Sequence, residues 1–346
     1  MTTTKDENIA RWICRPLSVE MIAGGMLLCA GAFLCSCDLL GEDASFDVPS
    51  ERLVSMTAVF EETHESGRPV HRLVVADVEN PSNHEVLSAA GRDVGRSCFG
   101  PDKRRLLFED NSGSNVGSRA PVKLLDLETR KVRDLDATGT LKGCVWRADG
   151  SGFYFAAAGG AGLRISAFYD LESGETRSFA QKESQGKAMR GSIPYSRKGR
   201  DSILVRADSL VRRENGGFKN VGGGFYFVDA ETEKYLTQIE NERLEGAITP
   251  AYNGKQSLVA FQGGSRVTVS DLEGSFFETY GVATQKVYHI VRWGPENTVL
   301  AERRPQSSFD PEKYRVMGVN IETGGIREFV EPEVIDGAVG LRAPDY

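Results

Sequence analysis

Six copies of one turn recur along this chain, and they limit what it can fold into more than any other feature. An apolar or alternating strand runs into an acidic turn at Asp77 (VVADVEN), Asp126 (LLDLETRK), Asp170 (FYDLESGE), Asp229 (FVDAETEK) and Asp271 (VSDLEGS), with Asn320 (VNIETGG) as the sixth. The copies lie about 40 to 60 residues apart, the length of one four-stranded unit in a repeat architecture. The chemistry is that of a turn: a carboxylate accepts backbone N–H groups, and glycine takes positive φ. A second element alternates with the first, an aromatic followed by a short turn and an apolar strand. Phe99-Gly100-Pro101-Asp102 leads to Leu106-Leu107-Phe108, and Trp146-Arg147-Ala148-Asp149-Gly150 leads to Phe153-Tyr154-Phe155. Weaker copies begin at Tyr195, Tyr252 and Trp293. Asp102 and Asp149 are read as turn residues, because turn chemistry accounts for them without invoking a functional ring of carboxylates with Glu296 and Asp345. Each aromatic is expected to wedge between neighbouring sheets.

These two elements together resemble the TolB-like propeller repeat, an aromatic followed by Ser-Pro-Asp-Gly and later by Asp-Leu-x-Thr-Gly. The resemblance runs from Leu53 to Tyr346 and is best at Phe99 and Trp146; the copies at Tyr195 and Tyr252 lack the Pro and Asp. It implies an all-β fold, a six-bladed β-propeller of four-stranded antiparallel blades, over residues 53–346. The strand from Val54 to Phe60 has no aromatic turn before it, and the missing strand stands at the other end as Val339-Gly340-Leu341-Arg342-Ala343-Pro344-Asp345. The C-terminal strand is therefore expected to join the N-terminal blade and close the ring, with Arg342 in place of the aromatic. The α/β domain that precedes the propeller in TolB-type proteins has no room here, so Tol-system membership is not carried over.

The N-terminus reads as an export and anchoring signal. Met21 to Leu34 is free of charge, the right length for the apolar region of a signal peptide. It ends in Leu34-Cys35-Ser36-Cys37, which resembles a bacterial lipobox with Cys37 as the lipidated residue. Two or more acyl chains on Cys37 would anchor the protein stably. An uncleaved membrane helix over residues 21–40 is the alternative, with Arg11 and Arg15 held inside. Translation could begin at Met1 or Met21. Residues 1–37 are thus signal or anchor and 38–52 a tether, and the propeller is expected outside the cytoplasm, periplasmic or on the surface.

Net charge is −7, and Lys5, Arg11 and Arg15 balance Asp6, Glu7 and Glu20 before position 37, so the rest carries the acidic excess. That argues against a nucleic-acid partner, and acidic residues interrupt the basic run from Lys103 to Arg133. No P-loop, dinucleotide fingerprint or Gly-x-Ser-x-Gly occurs, so no cofactor and no catalytic residue is assigned. His64, His71 and His84 have no metal-ligand spacing, and the channel-histidine cluster of propeller lyases with similar repeats is absent. Cys98 and Cys144 fall one and two residues before their aromatics, which puts their side chains on opposite faces and disfavours a bridge.

Three connections are enlarged, at 110–121, 206–224 and 303–314, all on one face of the disc. Long loops on a rigid scaffold carry binding residues, and Arg212, Arg213, Phe218, Phe309 and Tyr314 are the exposed candidates. The expected function is a membrane-tethered, non-catalytic propeller that binds a partner protein of the cell envelope. The alternative is an enzyme or a small-ligand or metal binder that uses the central channel or the enlarged-loop face.

Overall fold

The computed structural model describes residues 46 and 48–346, except 64–66, 68, 92, 113–118, 160–163, 185–186, 199–201, 242–247, 264–265, 282–285 and 306–313. Cys37 and the whole N-terminal signal lie outside the described residues, as do His64 and Phe309. Among the described residues no helix is long and apolar enough to cross a membrane.

The chain is all-β, built of antiparallel strands joined in sequence order. β1 (Leu53–Thr63), β2 (Pro69–Asp77) and β3 (His84–Val86) form a sheet whose fourth member is β24 (Ala338–Asp345), paired with β1 from Ser55↔Asp345 to Phe60↔Ala338. β4 (Val94–Phe99), β5 (Arg105–Asp110), β6 (Ala120–Asp126), β7 (Val132–Trp146), β8 (Gly152–Ala158), β9 (Arg164–Asp170) and β10 (Thr176–Ser178) make one seven-stranded sheet. β7 serves twice: its first half pairs with β6 and its second half with β8. The third sheet holds β11 (Gln181–Ser184), β12 (Lys187–Lys198), β13 (Ser202–Arg212), β14 (Phe218–Asp229) and β15 (Tyr235–Gln238). The fourth holds β16 (Ile248–Asn253), β17 (Leu258–Gly263), β18 (Arg266–Asp271) and β19 (Phe277–Tyr280). The fifth holds β20 (Lys286–Trp293), β21 (Thr298–Pro305), β22 (Arg315–Asn320) and β23 (Ile326–Val330). The described strands thus form five sheets; taken in sequence order they fall into successive groups, two of which share β7 and merge into the seven-stranded sheet.

The acidic turns are held as turn chemistry requires. Asp126 Oδ1 accepts N–H bonds from Glu128 (3.1 Å) and Thr129 (2.7 Å). Asp170 does the same from Glu172 and Ser173, Asp229 from Glu231 and Thr232, and Asn320 from Glu322 and Thr323. Asp77 caps Glu79 at 2.9 Å and is also paired with Arg52. Asp271 departs from the set: it accepts from Phe276 N at 2.9 Å, and its other oxygen is buried without a partner. In the second turn type Asp102 accepts from Arg104 N at 3.1 Å, and Asp149 accepts from the N–H (2.9 Å) and hydroxyl (2.7 Å) of Ser151. Gly150 there sits at φ +71, a backbone region that a side chain would strain.

The apolar cores lie between successive groups of strands, as in stacked sheets. Leu73, Val94, Phe99 and Phe108 fill the space between the first group and the second. Leu107, Leu141, Trp146 and Phe153 fill the next, and Phe155 joins them. Val54, Met56 and Leu341 of the first sheet pack with Leu300 and Val316 of the fifth. The wedge aromatics do what their position demands: Trp146 Nε1 donates to Cys98 O (3.3 Å), and Trp293 Nε1 donates to Ala251 O (2.8 Å).

Two sequence expectations are corrected here. Cys98 and Cys144 are bonded to each other, with Cα atoms 6.2 Å apart. Alternation of side chains holds only along an unbroken pleat, and the pairing of β7 with β8 breaks register between Thr140 and Val145, which spans Cys144. The aromatic position of the C-terminal strand belongs to Tyr346, not Arg342. Phe99 pairs with Leu106 and Trp146 with Phe153; Ser55↔Asp345 sets Tyr346 beside Val54, the matching place on β1.

Candidate functional site where the first strands converge

The inner strands are β24, β4, the second half of β7, β12 (which follows β11), β16 and β20. The residues that tie these strands together were not singled out from the sequence, and the register reveals them. Four residues on from the strand residue that pairs with the turn Asp or Asn stand Thr57, Glu109, Ala156, Arg206, Gln262 and Glu302. Thr57 Oγ1 donates to Gly95 O of the next group at 2.5 Å. Glu109 accepts from Leu141 N (2.6 Å) and Thr140 Oγ1 (2.8 Å) of the next group. Glu302 accepts from Ala343 N at 2.9 Å, with Arg342 Nε 3.7 Å away. Both glutamates are about 97% buried or more. A buried carboxylate is retained only when donors satisfy it, so these two latch each inner strand to its neighbour.

Replacement of Glu109 or Glu302 by Ala is expected to cost about 2–3 kcal/mol each, since a buried N–H then loses its acceptor. Urea unfolding with an unchanged slope would read this as a lower midpoint. A shift within about 0.5 kcal/mol, the range of ordinary surface changes, would show that the latch carries no stability.

A further knot involves strands far apart in sequence. Asp345 Oδ2 accepts from Phe99 N at 2.8 Å, while Arg292 Nε lies 3.4 Å from its other oxygen. Arg292 Nη2 also donates to Lys142 O at 2.9 Å. β4, β7, β20 and β24 therefore meet through two side chains. Burial pushes the Asp345 carboxyl up, and the Arg292 guanidinium opposes that shift.

Beside this knot a cavity of about 310 Å³ opens between the first and second groups, with Thr57, His71, Asp93, Arg96, Glu109 and Arg342 on its walls. His71 Nδ1 is 3.3 Å from Asp93 Oδ1. His84 is elsewhere, against Ser82 O. Among the described residues no group of three or more His, Cys, Asp or Glu could hold a metal ion. Part of the basic run is engaged, while Arg104, Arg119, Lys131 and Arg133 are exposed. Lys103 stands 3.6 Å over the Tyr346 ring and donates to Leu53 O, Lys123 pairs with Asp110 and Asp134, and Arg130 pairs with Glu85.

The five loop candidates separate. Residues 206–224 are not a loop but most of a long hairpin: β13 pairs with β14 from Ser202↔Asp229 to Arg212↔Phe218. Arg212 and Arg213 are exposed at its tip, and Val221, further along β14 at the register break, is 53% exposed. Phe218 is half-buried, with the Arg190 guanidinium 5.0 Å over its ring. Tyr314, expected exposed, is buried at 5%, because it precedes β22 directly and packs under the C-terminal strand. Leu341 N donates to Tyr314 O at 3.1 Å, and Arg342 covers its ring at 4.8 Å.

No family model matches the sequence, and no curated protein matches it. Solved structures do. TolB from Acinetobacter baumannii is similar over 86% of this chain and 67% of its own, at 10% identity and a TM-score of 0.51. A putative TolB from Agrobacterium tumefaciens is similar over 80% of this chain and 88% of its own, at 14% identity and a TM-score of 0.53. A chain of a nidogen/laminin complex covers 85% of this one and 97% of itself, at 7% identity and a TM-score of 0.54. At such identities the likeness is one of fold: with the sheet order above, this chain has a β-propeller fold similar to that of TolB.

Proposed function

We propose that residues 53–346 form a closed ring of six four-stranded blades that binds another protein at the cell envelope and catalyses no reaction. The observation that carries this reading is the β13–β14 hairpin, which presents Arg212, Arg213 and Val221 to solvent on a rigid scaffold. Closure is supported by the pairing of β24 with β1 and by the core that joins the first sheet to the fifth. An envelope location is supported by the Cys98–Cys144 disulfide, a bond that persists in oxidising compartments, and by the lipobox-like sequence ending in Cys37. The tether would be lipid on Cys37 or a membrane helix over 21–40.

The test is affinity capture of the full-length, membrane-extracted protein beside a variant with a shortened hairpin. In that variant Asn-Gly replaces residues 208–223, which keeps the Ala207↔Gly224 pair and supplies a two-residue turn. One abundant envelope protein retained by the natural chain and lost by the variant is the expected result. A clean monomer from both would overturn the interaction reading.

A further inference from the structure

In the third sheet β13 and β14 outrun their outer neighbour. They stay paired out to Arg212↔Phe218, but β15 covers β14 only from Tyr226↔Gln238 to Val228↔Tyr235. One further bond, Ile239 N to Phe225 O at 2.9 Å, ends that cover. From Phe218 to Gly224, β14 has β13 on one side and, among the described residues, no strand on the other. Seven residues at about 3.3 Å each make the length of an ordinary strand. Lys219 to Gly223 are all exposed. An open edge of this kind offers rows of main-chain N–H and C=O groups to another strand.

The residues of this edge leave room for a second backbone. A Cβ on Gly222, at φ +144, would meet nothing within 4 Å, and one on Gly224 would meet only the side chains of Gln238 and Tyr226. Glycine inside a strand marks a bulge or the close approach of another chain. The bulge is present as well: Ser209 pairs with Gly222 and Leu210 with Asn220, so Val221 has no partner on β13.

Charge selects what can add there. Residues 181–192 and 206–224, which build this part of the sheet, hold seven Lys and Arg against three acidic residues, in a chain of net charge −7. All seven are exposed, and among the described residues none forms a salt bridge. Lys219 lies on the edge strand itself, and Arg212 pairs with Phe218 at its start. A second copy of the chain would set one positive rim against another, whereas an acidic strand would offset it. Lysines and bulges guard an edge against copies of itself.

We propose that the open edge of β14 takes an extended, acidic segment of the partner protein as one more strand. Main-chain hydrogen bonds along Phe218 to Gly224 supply the affinity, and the basic rim supplies the choice. This mode of binding rests on the protein-interaction reading above and specifies the chemistry of the partner.

Fluorescence anisotropy of the full-length, membrane-extracted protein tests it, with a labelled eight-residue peptide of alternating Glu and Thr as the probe. The counterpart of alternating Lys and Thr is the control. Saturable binding of the acidic peptide alone is expected, with slowed hydrogen exchange of the amides from Phe218 to Gly224. Val221→Pro should weaken binding by about tenfold or more, because proline at the unpaired bulge spares the β13 ladder and interrupts the edge. The Arg212→Glu/Lys219→Glu double replacement, on two exposed side chains, should reverse the preference toward the basic peptide, and it reads binding even if the proline variant folds poorly. Absence of saturable binding of the acidic peptide, binding without slowed exchange at this edge, or a preference that survives charge reversal would overturn the proposal. Affinity capture separates it from the broader reading. A partner lost with the shortened hairpin but kept by a folded Val221→Pro chain overturns edge addition alone, and a clean monomer from every chain overturns both.

Discussion

Deletion of the last ten residues, Gly337 to Tyr346, is expected to abolish cooperative unfolding of the entire propeller rather than fray its end. β24 is the inner strand of the first sheet, with Leu341 fully buried and Ala343 nearly so. Its loss strips β1 of one pairing partner along a run where Val54, Met56 and Ala58 are completely buried. It also leaves Arg292 without Asp345 and Glu302 without the Ala343 N–H. Buried charges robbed of their partners cost on the order of 3–5 kcal/mol each. Two of them, with an opened core and a bare sheet edge, rival the whole stability of a domain, about 5–15 kcal/mol. Scanning calorimetry and near-ultraviolet circular dichroism would show a broad or absent transition and a tendency to aggregate through the exposed edge. A truncated chain that still melts sharply within a few degrees of the full one would show that β24 is dispensable.

The second large effect is redox. Reduction, or the Cys98→Ser/Cys144→Ser double replacement, is expected to lower stability by about 4 kcal/mol, the loop-closure value for the separation of 46 residues. For a chain this long that corresponds to a fall of about 6–8 °C in melting temperature. The bridge joins the inner strands of the second and third groups, β4 and β7, beside the Glu109 latch between the same groups. Melting in the presence and absence of reductant would show the difference directly. An identical transition under both conditions would mean the two thiols are not bonded in solution.

Both effects, with the glutamate latches, describe one design. The sheets are joined by the apolar cores between them and, at their inner strands, by buried polar side chains. Strands that must hold their neighbours carry buried Glu109 and Glu302, whereas Arg206 at the same repeat position is exposed. The repeat therefore serves cohesion at some blades and releases a charged side chain at others.

The turns and strands were readable from the sequence because their chemistry is local. An Asp in such a turn accepts N–H groups two and three residues ahead, as Asp126, Asp170 and Asp229 do, Asp271 being the exception. Periodic recurrence of that turn carried the all-β, repeat-built fold with it. The wedge aromatics Phe99 and Trp146 were readable for the same reason. Residues whose role depends on register were not. Nothing local to Glu109 and Glu302 marks them out; only strand pairing aligns them with donors of the neighbouring group. The Cys98–Cys144 bond depended on a break in the β7 ladder, Tyr314 was buried by a strand from the chain's end, and residues 206–224 paired into a hairpin. Sequence by itself determined the turns, the strands and their repeat, since these need only neighbours along the chain. Tertiary structure alone decided which side chains meet across strands. Phe99, Lys142, Arg292 and Asp345 belong to four separate repeats, and only the packing of inner strands brings them to one place.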